Sequence, residues 1–365
     1  MNIKTKLPFK GYLRTNWSRD PFTFGAYSHI AKGSGIEDLK IAGAPLNDRI
    51  FFAGEAMNTH YQSTVHAAIE SGQENAQSII TLGSKSVAVI GAGAAGLAAA
   101  KDLHAAGIAT VVFEGRNRIG GRIWTDDSQD AAVDLGGAFV VGDLDNPVTA
   151  LADSVKAERV AFSLSESSED LILNKKGKPT HKFFHGRMIR KVTTANGLGT
   201  DLKNLNLQHL MKHLDQQHPS AYFGYKGKDW VFREGYGQIL PALHTAYEIR
   251  LNSKVTQIHH SDTGVEIALS DGSAQTFDAV LVTVPLGVLK QKKIAFHPPL
   301  SNARLAAIDR MGMGTVDKLF LFFDEAFWQD APWIYTTHNA GLPKGQFNVW
   351  MNQHKATGAK ALCAF

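Results

Sequence analysis

Residues Ser86-Val87-Ala88-Val89-Ile90-Gly91-Ala92-Gly93-Ala94-Ala95-Gly96-Leu97 decide the fold. The apolar run at 86–90 suits a strand buried on both faces of a parallel sheet. Gly91, Gly93 and Gly96 follow at once in the spacing G-x-G-x-x-G. Leu97 to Ala106 then reads as an Ala/Leu-rich helix that Gly107 stops as a C-cap glycine would. Thr110-Val111-Val112-Phe113-Glu114 is a second strand ending in an acid. The expectation is one βαβ unit over 84–114. In such a unit the first glycine allows a tight turn and the second lets a pyrophosphate approach the backbone. The third lets helix pack on strand, and the helix N-terminus faces the phosphates. Glu114 stands 114 − 91 = 23 positions after Gly91, where an acid can take ribose hydroxyls. Glycines at a βα turn can be merely structural; two strands, a helix and an acid in order favour the dinucleotide reading.

Just downstream, Gly115-Arg116-Asn117-Arg118-Ile119-Gly120-Gly121-Arg122 sets two glycines among arginines. Close backbone approach with guanidinium charge suits a second contact to the same pyrophosphate, which a nicotinamide dehydrogenase does not need. Asp134-Leu135-Gly136-Gly137-Ala138 repeats the device. Further strands are expected at 255–258, 265–269, 278–284 and 318–323, and Thr81 to Lys85 reads as a linker after a helix ending near Ile80. Residues 150–230 are polar, with a helical piece at Leu202 to Gln216 and no clear motif. Lys290-Gln291-Lys292-Lys293 reads as a solvated turn.

The chain has 365 residues, enough for about two domains, and its hydrophobic content of 44% is that of an ordinary globular protein. A net charge of 38 − 34 = +4 gives no case for a nucleic-acid partner. The single cysteine, Cys363, excludes an internal disulfide framework, and catalytic thiol chemistry is not expected of it. No apolar run approaches the roughly 20 residues of a membrane span, and no signal peptide is read, so a cytoplasmic protein is expected. The histidines, His66 among them, show no ligand spacing, and no metal is expected.

With these motifs the sequence resembles the flavin-containing amine oxidase family, which includes monoamine and polyamine oxidases, L-amino-acid oxidases and lysine-specific histone demethylases. The resemblance extends through Arg233-Glu234-Gly235-Tyr236-Gly237, Leu251 to Val255, Thr283-Val284-Pro285-Leu286-Gly287-Val288-Leu289-Lys290 and Phe296 to Leu300. It continues in Met311-Gly312-Met313-Gly314-Thr315-Val316-Asp317-Lys318 and Phe327-Trp328. Trp17 to Phe22, Gly25-Ala26-Tyr27-Ser28, Phe51-Phe52-Ala53-Gly54-Glu55-Ala56 and Thr64 to Gly72 also resemble the family, but its C-terminal end. They precede the dinucleotide unit here. The order is that of a circular permutation with a segment missing, or of a piece cut from two tandem copies.

The resemblance implies an α/β fold, a Rossmann-like FAD-binding domain with an interleaved α+β substrate domain. The expected division is 1–80 as the permuted flavin-binding segment, 84–150 as the βαβ domain and 151–230 as substrate domain. It continues with 231–290 as the second FAD-binding part and 291–365 as a truncated second substrate part. By resemblance Gly91, Gly93, Ala94, Ala95 and Gly96 bind the pyrophosphate, and Glu114 the adenosine ribose. Arg116, Gly121, Arg122, Gly136, Gly137, Ala138 and Pro285 would border the cofactor. Val255 would bond adenine through its backbone, and Glu55 would contact the ribityl-phosphate region. The amides near Thr64 and Val65 would stabilise negative charge at the flavin.

Lys318 matches the lysine that holds a water at flavin N5; the plain alternative is a lysine opening a buried strand. Tyr27 matches an aromatic walling the substrate pocket, with a core residue as its alternative. Thr64 stands where monoamine oxidases place a second cage tyrosine, which draws the resemblance toward polyamine oxidases and lysine demethylases. Ala26 stands where covalent-flavin members carry a cysteine, so non-covalent FAD is implied. The implied reaction is oxidation of a small amine, by hydride transfer to flavin and reoxidation by O2 giving H2O2. A non-catalytic FAD-binding fragment and an amino-acid oxidase are the alternatives. Oligomeric state is not legible.

Overall fold

The computed structural model describes residues 8–129, 131–163, 169–174, 176–180, 199–206, 208, 226–336 and 347–365. Its centre is a five-stranded sheet, parallel throughout, in the order Glu248–Arg250, Ala109–Phe113, Ser86–Ile90, Ala279–Val282, Ile50–Phe52. Alternation along each strand divides the side chains between two faces. Val87, Val89, Val112 and Leu281 join one core, and Ala88, Ile90, Phe113, Val280 and Val282 the other.

The first core is roofed by two helices, α2 (Val65–Thr81) and α3 (Ala94–Ala105); α1 (Ile36–Gly43) lies on the opposite side. The second core is closed by an antiparallel group, Val255–His260, Val265–Leu269 and Ala274–Phe277, to which Ala295–His297 adds in parallel. Both faces of the parallel sheet are thus covered, as such sheets require.

The expected βαβ unit is present, with strand Ser86–Ile90, helix Ala94–Ala105 and strand Ala109–Phe113. The helix begins three residues earlier than composition suggested, because the glycine turn runs straight into it. Glu114 follows the second strand directly.

Residues from the first 80 are built into this unit. Strand Ile50–Phe52 forms its edge beside Ala279–Val282, and α2 packs along α3. The link from α2 to strand Ser86–Ile90 is short, and Asp278 clamps it. Asp278 Oδ2 accepts the backbone N–H of Lys85 at 2.6 Å and of Ser86 at 3.0 Å. Those two donors hold its carboxyl below the usual carboxylate range.

A second sheet has six strands, in the order Phe9–Arg14, Leu319–Phe323, Ala361–Ala364, Val349–Asn352, Trp333–Thr336, Leu171–Leu173. Two expected boundaries move accordingly. Strand Phe9–Arg14 belongs to this second sheet, not with the rest of 1–80. Strand Ala295–His297 and helix Asn302–Arg310 pack with the first unit, not with the rest of 291–365. Of the helix expected at Leu202 to Gln216, a 3-10 turn at Leu202–Asn204 is observed; residues 207 and 209–216 lie outside the described residues.

Lys290 also departs from expectation. It is not a solvated turn residue: its ammonium donates to Ile308 O at 3.0 Å, Asp309 O at 2.6 Å and Met311 O at 2.9 Å. These are the free carbonyls ending helix Asn302–Arg310, where a cation also meets the negative end of the helix.

Packing of α2 on α3 makes a test in which two effects have opposite sign. Alanine outranks glycine in helix propensity by about 1 kcal/mol. A Cβ at Gly72, however, would lie 2.2 Å from Ala95 O, and overpacking costs roughly 1–3 kcal/mol. Gly72→Ala is expected to lower the thermal midpoint; a rise would show that propensity wins and the helices are further apart.

The buried strand Ser28–His29 supplies a pH test. Burial, with Lys290 nearby and against the pull of Glu55, pushes the His29 imidazole down to about 4. Between pH 6.5 and 4 the unfolded chain takes up a proton there and the folded chain does not. Stability from this group therefore falls as pH drops through that window, by on the order of 3 kcal/mol in total. Asp134, pushed up to about 6 by burial, works the other way below pH 6. His29→Gln should flatten the acid-side loss of thermal midpoint, and an unaltered profile would refute a neutral buried imidazole.

Candidate functional site

A long cleft runs over the C-terminal ends of strands Ser86–Ile90 and Ala279–Val282, with about 1220 Å³ of non-protein space including the part open to solvent. The glycine turn forms its floor. Gly91 has φ +109°, in the left-handed region, and a Cβ there would lie 2.8 Å from Thr283 Oγ1. A Cβ at Gly96 would lie 2.0 Å from Gly91 O, so this residue is small for packing. Gly93 differs: a Cβ on it meets nothing within 4 Å, and it lines the cleft. That open space above bare backbone is the cradle an elongated phosphate-bearing ligand requires.

Two helix N-termini point into the cleft. Gly93 caps α3, and Ala94 and Ala95 line the wall. Thr64 caps α2, with its Oγ1 accepting the N–H of Ala67 at 3.1 Å and donating to Tyr61 O at 2.6 Å. The Thr64 hydroxyl is therefore spent on the helix end, although the residue, with Val65, borders the cleft. Both ends favour negative charge.

Glu114 lines the cleft next to the glycine turn. Its Oε2 accepts Ala92 N and its Oε1 accepts Arg116 N, each at 2.8 Å. Val255, Pro285, Gly121 and Gly137 complete this wall. Arg116 pairs with Asp20 at 2.7 Å and lies 5.0 Å from the centre of the Phe22 ring. Arg122 pairs with Glu55 at 2.7 Å. Lys254 and Lys293 also line the cleft, so its lining carries four cationic side chains against the carboxylates of Glu55 and Glu114. Tyr27 lines the wall half-buried; burial and the nearby Glu55 carboxylate push its phenol above its ordinary value.

Four of the expected residues are not among those lining the cleft. Gly96 lies beneath the turn. Gly136 is small because a Cβ there would lie 1.9 Å from Arg122 O. Ala138 and Lys318 border a separate small cavity with Cys363 and Phe365. Lys318 Nζ donates to Asp134 O at 2.7 Å and Gly136 O at 2.6 Å, and burial lowers its pKa. It thus holds the backbone that presents Gly137 to the cleft.

Two residues with clear roles were not singled out as site residues from sequence. Thr283 Oγ1 donates to Ile90 O at 2.9 Å and Gly91 O at 3.1 Å, tying the glycine turn to the next strand. Its signal was its place before Val284-Pro285. Arg118 donates to Gly121 O at 2.9 Å and Ile119 O at 3.1 Å, and stacks on Trp124 with 4.6 Å to the ring centre. Burial pushes its pKa down to about 10. It shapes the double-glycine turn from behind. Among the described residues no group of three or more His, Cys, Asp or Glu is placed to hold a metal ion, and no helix is long and apolar enough to cross a membrane.

The family model described as flavin containing amine oxidoreductase matches residues 3–80, 94–212 and 193–365. The chain is 31% identical over 324 residues to "Lysine-specific histone demethylase 1 homolog 2" of Arabidopsis thaliana, covering 76% of this chain and 43% of that protein. It is 31% identical over 294 residues to "Lysine-specific histone demethylase 2" of Homo sapiens, covering 67% and 35%. It is 29% identical over 331 residues to "Probable polyamine oxidase 4" of Arabidopsis thaliana, covering 76% and 65%. The chain thus spans less than half the length of the demethylases it matches. It belongs to the flavin-containing amine oxidoreductase family.

Proposed function

We propose that this family member binds FAD without a covalent bond in the glycine-floored cleft and oxidises an amine there, in the manner of a polyamine oxidase. The observation that carries the reading is the bare backbone at Gly93 in a cleft that two helix N-termini and Glu114 also line. The pyrophosphate would lie against Gly93, Ala94 and Ala95, where N–H groups and the helix dipole meet its charge. Glu114 would accept from ribose hydroxyls, and Val255 would border the adenine. When bound, FAD supplies an acceptor for hydride from the carbon next to nitrogen; with O2 and water the net products are H2O2 and the carbonyl and amine halves of the substrate. The N-terminus of α2 stabilises negative charge beside the cofactor. Tyr27 walls the substrate side. Lys318 keeps the Gly137 wall in place and has a further N–H for a water; the cavity beside it is about one water in size.

Non-covalent binding is favoured by the position of the single cysteine: Cys363 is buried in strand Ala361–Ala364, away from the cleft lining. We infer further that the segment 1–80, with its strand Phe9–Arg14 lying in the second sheet, stands in the place of the family's C-terminal flavin-binding segment, in permuted order. The edge strand Ile50–Phe52, the α2 N-terminus and the clamped link to Ser86 support this.

The purified chain should carry a visible flavin spectrum, with the flavin released by acid precipitation. Peroxide should form with one of spermidine, benzylamine, an amino acid or a methylated histone peptide. A colourless folded protein that takes up no added FAD would sink the proposal, and a yellow protein without turnover would leave the binding reading. Gly93→Val should lower the thermal midpoint of the flavin-free chain only slightly, through a poorer N-cap, and weaken FAD binding by roughly tenfold or more, about 1.4 kcal/mol. Retained affinity would remove the pyrophosphate from that position. Lys318→Met should slow turnover while flavin content holds; full activity would refute a role for that lysine.

A further inference from the structure

We propose that Glu55 is a positioning residue: it latches residues 26–28 to the N-terminus of α2 across Arg122, giving the cleft its shape before a cofactor arrives. The consequence for binding rests on the flavin reading of the same cleft; the geometry does not.

A carboxylate offers about four lone-pair sites. At Glu55, buried to 4% exposure, four donors from three separate segments fill them. Oε2 accepts Ser28 Oγ at 2.6 Å and Ser63 N at 3.0 Å, and Oε1 accepts Arg122 Nη1 at 2.7 Å. Ser28 N stands 3.3 Å from both oxygens. The same Arg122 nitrogen donates to Ala26 O at 3.0 Å. Ser63 Oγ donates to Ser28 O and closes the ring of contacts.

Two features of the cleft hang from this ring. Ser63 has φ +77°, a left-handed conformation that a non-glycine residue holds only when its surroundings impose it. Its N–H on Glu55 and its hydroxyl on Ser28 O are the bonds that impose it, and the next residue, Thr64, caps α2. Tyr27 lies between Ala26 and Ser28, both tied to the ring. On its other side Ala26 N donates to Gly314 O at 2.8 Å and Gly314 N to Tyr27 O at 2.7 Å. Charge-assisted bonds in a buried set are strong, and loss of one partner leaves the others unpaired. One carboxylate therefore fixes both a helix N-terminus and an aromatic wall.

The test is amide hydrogen exchange on the purified full chain, flavin-free and with added FAD, for Glu55→Gln, Ser28→Ala and the double variant. Each single change should speed exchange at residues 26–28 and 63–67 by roughly tenfold, confined to those segments and present without flavin. The double variant should be no faster than the faster single one, since both break one latch. Affinity for FAD should fall in Ser28→Ala as well as in Glu55→Gln. Unchanged exchange in Ser28→Ala, additive effects, or loss of affinity in Glu55→Gln alone would overturn the proposal. Ser28→Ala removes one neutral hydroxyl and carries the test should Glu55→Gln fail to fold. If the parent chain takes up no FAD, the flavin reading falls while exchange still decides the latch.

Discussion

The structure depends on how closely backbone can approach backbone at the start of α3. Gly96 lies so near Gly91 O that a single added carbon would sit 2.0 Å from it, and Thr283 reaches across to bond the same turn. This contact sets the distance between helix and sheet. That distance decides where the helix N-terminus emerges, and so where negative charge is welcome. The second helix repeats the device: Gly72, two turns into α2, meets Ala95 O in the first turn of α3, and the N-terminus of α2 lines the same cleft. Two dipoles then address one cleft, a consequence of missing side chains more than of present ones.

What was legible in the sequence was local. The run 86–90, the glycine spacing and Glu114 lie within 30 residues, and their periodicity and turn chemistry point to one outcome. Boundaries shifted by a few residues because helix Ala94–Ala105 starts inside the glycine turn. What was not legible is side-chain commitment over long sequence distances. Lys290 looks solvated in a basic run, yet its three donors end on helix Asn302–Arg310. Thr64 occupies a position matched to a pocket aromatic, yet its hydroxyl caps a helix. Lys318 stands just before strand Leu319–Phe323, and its ammonium group rests on the carbonyls of Asp134 and Gly136, 184 and 182 positions away. Periodicity reports which face is buried; it carries no record of which carbonyl a lysine will find.

Charge in the cleft follows one arrangement. Arg116 and Arg122 are each held by a carboxylate from the first 80 residues, Asp20 and Glu55. These ion pairs are partly buried and hydrogen-bonded, so they register one segment on the other more than they add stability. The glycine-rich loops of 91–137 and the segment 20–65 therefore line one cleft together and are joined by matched charges.

The pairing of Val280 with Ile50 spans 280 − 50 = 230 positions of chain. At ribosomal rates of about 5–20 residues per second, strand Ile50–Phe52 waits roughly 10–50 s for its neighbour to be made. Over that interval α2, α3 and strands Ser86–Ile90 and Ala109–Phe113 are already available to pack, while an apolar strand beside them has no ladder to join. Such long-range pairings are slow to close and leave an edge exposed to other chains. The rate of synthesis thus sets how long the strand Ile50–Phe52 stands without its ladder partner.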